Sequence, residues 1–332
     1  MKINSELLKK LVDIYSPSGD EENICSFIKN EIKDYVDEIN IDNLGNLIAR
    51  KKGNGKKIMI ASHMDQIGLM ITNIEKEGFL RFTNIGGIDP HISLGQKVIF
   101  KDGTIGVIDY EETSDITKLK LENMYIDIGV SSKEEAEKVI NIGDSCVYYN
   151  TYLEDDNRII SGALDDRIGC YISIETIKNL KNIENDLYFV FTVQEELGLR
   201  GAKTSAYSIN PDLGIAVDIT GSGDTPGAKK FAIELGKGAS IKVKDKGIVV
   251  HPKVKKLMIN TAKKHNIPYQ LEIFEYGSTD SGAIHLTRGG VPSGVISVPT
   301  RYAHSPNETI YKKDVVSCIE LLTKLLEKNI EI

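Results

Sequence analysis

Four apolar runs in this chain each lead into residues that can hold a cation. KIMIAS, residues 57–62, precedes His63 and Asp65; LYFVFTVQ, 187–194, precedes Glu195 and Glu196; GIAV, 214–217, precedes Asp218; and GVISVPT, 294–300, lies just before His304. Short unbroken apolar runs of this kind read as strands buried on both faces of a parallel or mixed sheet. In open α/β sheets ligands bind beyond the carboxyl ends of the strands, so four such endings, far apart in sequence, can converge on one site. A fifth element, SGALDDR, residues 161–167, sets Asp165 and Asp166 at the start of a helix, where the dipole tolerates carboxylates.

The rest of the chain has two textures. Residues 5–36 read as two amphipathic helices, carried by Leu7, Leu8, Leu11, Val12 and Tyr15, then by Ile24, Phe27, Ile28, Ile32 and Tyr35, with the breaker Ser16-Pro17-Ser18-Gly19 between them. Strands are expected at Ile39–Ile41 and Asn46–Arg50 around a turn at Asn43–Gly45. From Gly68 to Arg158 the pattern changes to short alternating runs split by glycine turns, ending in SCVYYNTYL, with one helix expected at Lys133–Ile140. Afterwards the longer period returns: helices over Asp166–Leu180, Val254–His265 and Val315–Leu326, strands at Leu187–Val193, Gly214–Val217 and Val295–Val298. Strands alternating with helices indicate an α/β layer architecture. The economical division is one discontinuous α/β domain, residues 1–67 and 159–332, interrupted by a small β insertion, 68–158.

Composition removes several function classes. Charged residues make up 27% and hydrophobic ones 41% of 332 residues, a globular balance. The longest stretch without Asp, Glu, Lys or Arg, Gly289–Thr300, is twelve residues with two prolines, short of the roughly 20 apolar positions a membrane span needs. A net charge of −7 and the absence of a basic run argue against nucleic acid and favour small substrates or peptides. Cys25, Cys146, Cys170 and Cys318 are widely spaced, which suggests neither a disulfide framework nor a cysteine zinc site. With Glu6 and Asp13 inside its apolar pattern the N-terminus does not resemble a secretion signal, so a cytoplasmic protein is expected.

Each site residue alone has a structural reading. His63 fits a satisfied core histidine, Asp165 and Asp166 an N-cap and its neighbour, Glu195-Glu196 a solvated strand end, and Asp218 a turn. Together they are harder to dismiss, because adjacent carboxylates closing an apolar strand are costly unless a cation or a shared proton compensates. His91, His251, His265 and His285 read as structural; Asp280 either supports the metal shell or caps the following helix, with capping the default reading. The glycines of GSGDTPG and TRGGVPSG fit neither P-loop nor dinucleotide spacing.

The blocks SHMDQIG, SGALDDRIG, TVQEELGLRGAKTSAYSINPD, IAVDITGSGDTPG and GSTDSGAIHLTRGGVPSGVISVPTRYAHSP, in this order, resemble the tetrahedral (TET) aminopeptidases and the related glutamyl and deblocking aminopeptidases. The resemblance runs from the first helix to the last. It implies a mixed-sheet α/β metallopeptidase domain carrying a small β-barrel-like dimerisation domain, and two divalent metal ions per subunit. In that reading Asp165 bridges the metals, His63 and Asp218 complete one site, Glu196 and His304 the other, and the Asp165–Asp166 bond is cis. Glu195 serves as general base and acid, and Asp65 accepts a hydrogen bond from the far nitrogen of His63. Gln66 departs from the acid found in many relatives. Imidazoles and carboxylates favour zinc, with cobalt or manganese also accommodated.

The implied activity is removal of N-terminal residues from peptides with a free amino end. An N-deacylase on the same scaffold and an inactive assembly protein are the alternatives, the latter disfavoured because no ligand is missing. The insertion interrupts the chain between His63 and Asp165 yet supplies no needed ligand; its short strands are expected to present edges that another subunit covers. The family organisation implies a dodecamer built from dimers.

Overall fold

Parallel pairing of four buried strands dictates the centre of the molecule. The computed structural model describes residues 2–112, 115–228 and 232–330. Asp186–Thr192, Lys57–His63, Leu213–Gly221 and Ser293–Arg301 lie side by side, each parallel to the next, in an 11-stranded mixed sheet. Antiparallel strands extend it on both flanks: Leu47–Lys51 and Glu38–Ile41 on one, Glu308–Tyr311, Arg158–Ser161 and Leu153–Glu154 on the other. A side branch, Ala239–Lys244 with Tyr269–Ile273, joins through Ser293–Arg301.

Helices cover both faces. Leu164–Asn179 is buried on nearly every side, its polar residues included, and packs with Ser5–Asp13, Glu22–Ile32 and Lys312–Leu326 over one core. Asn4 ties these helices together: its side chain caps Leu7 at 3.2 Å while its N–H donates to the Tyr171 hydroxyl at 2.8 Å. On the opposite face Arg200–Ile209 and Ser281–Ile284 close a smaller core around Met59, Ala61 and Val190.

Arg200–Ile209 is not foreseen in the sequence, because apart from Ile209 at its end its buried face is Gly201, Ala202, Ser205 and Ala206, side chains too short to give an apolar stripe. Gly201 has a steric reason: a Cβ there would lie 2.2 Å from the Asn46 side-chain oxygen. Three other expected elements change length. The helix expected at Lys133–Ile140 is confined to Lys133–Ala136, and the strands at 214–217 and 295–298 extend to Leu213–Gly221 and Ser293–Arg301.

The segment after His63 forms a closed antiparallel barrel of Gly68–Ile74, Leu80–Ile85, Met124–Asp127, Ile105–Tyr110, Lys97–Phe100 and Ser145–Tyr148 around its own apolar core. SCVYYNTYL divides: its start closes the barrel, while Leu153 begins a strand of the large sheet. Closure corrects one expectation, since a barrel has no edge strands for a second subunit to protect. What the barrel does present are apolar side chains on its outside, among them Ile105, Val107, Ile116 and Ile142, the last 64% exposed.

Candidate active site

The four strand endings converge because the four strands are neighbours in the sheet. His63 closes its strand level with Thr192, Asp218 stands two residues past the Ala216–Ala61 pairing, and the chain turns over them at Glu195-Glu196 and at His304. Asp165 arrives from the start of the central helix and lies between two imidazoles: its Oδ1 is 3.1 Å from His63 Nε2 and its Oδ2 is 3.2 Å from His304 Nε2. Glu196 sits 3.4 Å from the same His304 nitrogen. Two sets of potential ligand atoms, His63, Asp165 and Glu196, and His63, Asp166 and Asp218, each lie within 4.8 Å of one another.

Asp165 and Asp166 differ although adjacent. The bond between them is cis. Asp165 has extended backbone angles, φ −77° and ψ 109°, so the regular helix starts after the pair. Asp166 is fully buried and caps it, accepting Gly169 N–H at 3.0 Å with one oxygen and His63 N–H at 3.2 Å with the other.

A second ring of buried carboxylates holds the backbone of the ligand loops. Asp65 accepts the N–H groups of Glu195 at 3.0 Å and Glu196 at 3.2 Å, and the Ser18 hydroxyl at 2.6 Å. Its carboxylate is 3.5 Å from His63 Nδ1, whose nearer acceptor is the Asp65 carbonyl oxygen at 3.1 Å. Glu21 takes the Gln194 N–H at 3.1 Å, and Glu308 takes those of Asp165 at 3.0 Å and His304 at 2.9 Å. Glu21 and Glu308 carry no signal of their own in the sequence; an acid opening a helix and an acid in a short strand are ordinary. Gln66, the departure noted above, accepts from the fully buried Arg167 at 3.0 Å, whose other partners are the carbonyls of Met64, Leu11 and Ile14.

The insertion reaches the ligand residues through its backbone. His304 Nδ1 lies 2.8 Å from the Gly87 carbonyl oxygen, so Nδ1 carries the hydrogen and Nε2 faces Asp165 and Glu196. A Cβ at Gly87 would come within 2.8 Å of that ring nitrogen, and one at Gly86 within 2.9 Å of Glu196 Oε2. The insertion therefore takes part in the site without supplying a ligand side chain. Asp280 differs from its default reading. Its side chain makes no cap bond; one oxygen accepts the Thr192 hydroxyl at 2.5 Å, and the other is buried without a hydrogen-bond partner.

Electrostatics show what this crowding costs. Burial, with neighbouring carboxylates adding to it, pushes Asp218 and Glu195 well above the usual range and Glu196 to about 7. Burial alone would lower His304, yet Glu196 and Asp165 outweigh it and raise it to about 11. Two imidazoles and four carboxylates with so many like charges in contact fit a pair of divalent cations, which would neutralise them at once.

The comparisons with known proteins agree with this geometry. The family model described as M42 glutamyl aminopeptidase matches residues 45–321. The chain belongs to that family. It is 52% identical, over 97% of its length and 98% of the other's, to a chain of Acetivibrio thermocellus provisionally named an aminopeptidase. An aminopeptidase structure from the archaeon Desulfurococcus kamchatkensis superposes with a TM-score of 0.93 at 40% identity, covering 97% of this chain and 94% of that one. The TET1 peptidase of Pyrococcus horikoshii, described as assembling into a tetrahedron or a large octahedral shell, superposes at 0.87 with 33% identity over 97% and 98% of the two chains. The large mixed sheet with its six-stranded barrel is the TET aminopeptidase fold.

In this M42 peptidase two clefts open from the ligand cluster. One, about 720 Å³, is lined by Glu195, Glu196, Gly198, Leu199 and Lys246; the other, about 600 Å³, by Ile88, Ile92, Ile219, Phe274 and Lys242. Asp165, Asp218 and His304 border both.

Proposed function

We propose that the protein is a metal-dependent aminopeptidase that removes N-terminal residues from peptides with a free amino end. The observation that carries this reading is the Asp165 carboxylate between the two imidazoles, with Glu195 close by and bonded to neither. Asp165, His63 and Asp218 would hold one cation, and Asp165, Glu196 and His304 the other. Zinc suits this donor set, and cobalt or manganese also fit. Once bound, the pair supplies an acidified water and a Lewis acid for the scissile carbonyl.

The remaining work belongs to the chain itself. Glu195 takes the proton of the attacking water and returns it to the departing amine; burial and the charges of Asp218, Glu196 and Asp280 raise its carboxyl, which suits a group that must both accept and give a proton. Asp65 acts through backbone, fixing where Glu195 and Glu196 point. Gly87 keeps the hydrogen of His304 on Nδ1. The carboxylates supply a negative field that favours a free α-ammonium group at the substrate's end.

Assembly follows the same family. A dodecamer built from dimers is supported by the TET1 shells and by the exposed apolar side chains outside the barrel, which another subunit can cover. The four cysteines are buried and unpaired, which favours a reducing cytoplasm. No helix among the described residues is long and apolar enough to cross a membrane. Elemental analysis tests the reading: metal-restored protein should hold two equivalents per chain, and activity on a free-amine peptide should track that content. Activity in protein shown to be metal-free would overturn it.

A further inference from the structure

The 600 Å³ cleft has walls from two separate parts of the chain. Ile88 and Ile92 come from the insertion, Ile219 and Phe274 from the large-sheet side. Beneath them the polar groups are already engaged with one another. The buried Lys242 ammonium lies 3.0 Å from Glu272 and 3.2 Å from Asp245. Glu272 also accepts the hydroxyls of Thr220 at 2.9 Å and Ser240 at 2.7 Å, and Asp245 the N–H groups of Gly247 at 2.7 Å and Ile248 at 2.8 Å. A charged side chain entering here loses its hydration and finds Lys242 already engaged by Glu272 and Asp245, a large cost. A carboxylate meets Lys242 only beside Glu272, Asp245 and Asp218; an ammonium meets Lys242, and the further acid of the lining, Asp89, is solvated at the mouth and already accepts the His91 N–H.

Position decides which part of the substrate this cleft receives. Glu195, which hands a proton to the departing amine, lines the other cleft, as does the exposed Lys246. The departing chain therefore lies on that side, and the N-terminal residue's side chain on the apolar one. We infer that the cleft formed by Ile88, Ile92, Ile219 and Phe274 selects large apolar N-terminal side chains, such as Leu, Met and Phe, over acidic and basic ones. The inference rests on the aminopeptidase reading, and it departs from the glutamyl preference in the family's description.

The test is kcat/KM of zinc-reconstituted protein on aminoacyl-coumarin amides of Leu, Met, Phe, Glu and Lys. Each apolar substrate should exceed Glu and Lys by about tenfold or more. Glu or Lys matching the best apolar substrate overturns the inference and leaves the aminopeptidase reading standing; release from none of the five overturns both. Ile92→Lys, at a position already 36% exposed, sets a cation on the cleft wall and should raise the Glu-to-Leu ratio about tenfold with thermal unfolding unchanged. An unmoved ratio removes that wall from the specificity pocket. Calorimetry gives a readout without turnover: free leucine should bind the zinc-loaded protein more tightly than free lysine, and the reverse order contradicts the assignment.

Discussion

Glu308 holds Asp165 by its backbone: the Glu308 carboxylate accepts the Asp165 N–H at 3.0 Å, and its second oxygen accepts the His304 N–H at 2.9 Å. One buried side chain thus spans two loops that would ligate the same cation. His304 has φ 60°, a conformation most residues avoid, and this bond together with the one to Gly87 keeps it there. Glu308→Gln loses charge at the same size. Its expected effect is a metal affinity weaker by about 10- to 100-fold with the fold retained, read by zinc titration and circular dichroism. Unchanged affinity would show that the grip on both loops is dispensable.

Glu195 and Glu196 are adjacent, share Asp65 as a backbone anchor, and are given different work. Glu195→Gln removes the proton carrier and should lower kcat by about 10²-fold or more with both metals retained. Glu196→Gln should instead lose one metal equivalent. Metal analysis beside kinetics separates them, and the opposite pattern would reverse the two roles.

Metal binding should release protons. Without a cation Glu196 is pushed to about 7 by burial and His304 is raised to about 11 by Glu196 and Asp165, despite a burial effect that alone would lower it. Both raised groups hold protons below those values, and a ligand must shed its proton first, so affinity strengthens as pH rises and weakens as it falls. Zinc titration by calorimetry between about pH 6 and 9, in buffers of different ionisation enthalpy, measures this. No net proton release would contradict the ligand set.

The sequence revealed the part of the site that rests on apolar strand runs ending in His, Asp or Glu, because burial on both faces leaves an unbroken signal. The change in period after Gly68 marks where the barrel begins but not where it ends, since Leu153 already belongs to a strand of the large sheet. The sequence was silent on groups that act through backbone. Gly87 contributes a carbonyl oxygen, which no side chain advertises, and Glu21 and Glu308 look like any acid in a helix start or strand. Between the two readings of Asp280 the sequence favours the cap, because position before a short helix says nothing about where a buried carboxylate turns.

Assembly is tested by size-exclusion chromatography with light scattering. Twelve chains of 36.7 kDa give about 440 kDa, with a dimer as the smaller species. Substituting Ile105 and Ile142 by Asp, on the barrel's outer surface, should shift the population toward smaller species without unfolding the barrel. A monomer at every concentration in the unsubstituted protein would contradict the assembly and the role given to the barrel.

The central claim is metal-dependent hydrolysis from the amino end. Its most direct test follows one peptide and its N-acetylated twin by mass spectrometry over time, with metal-free and metal-restored protein. Stepwise loss of residues from the amino end of the free peptide, in the restored sample alone, is the predicted result. Loss from the carboxyl end, equal cleavage of the acetylated twin, or undiminished cleavage by the metal-free sample would contradict it.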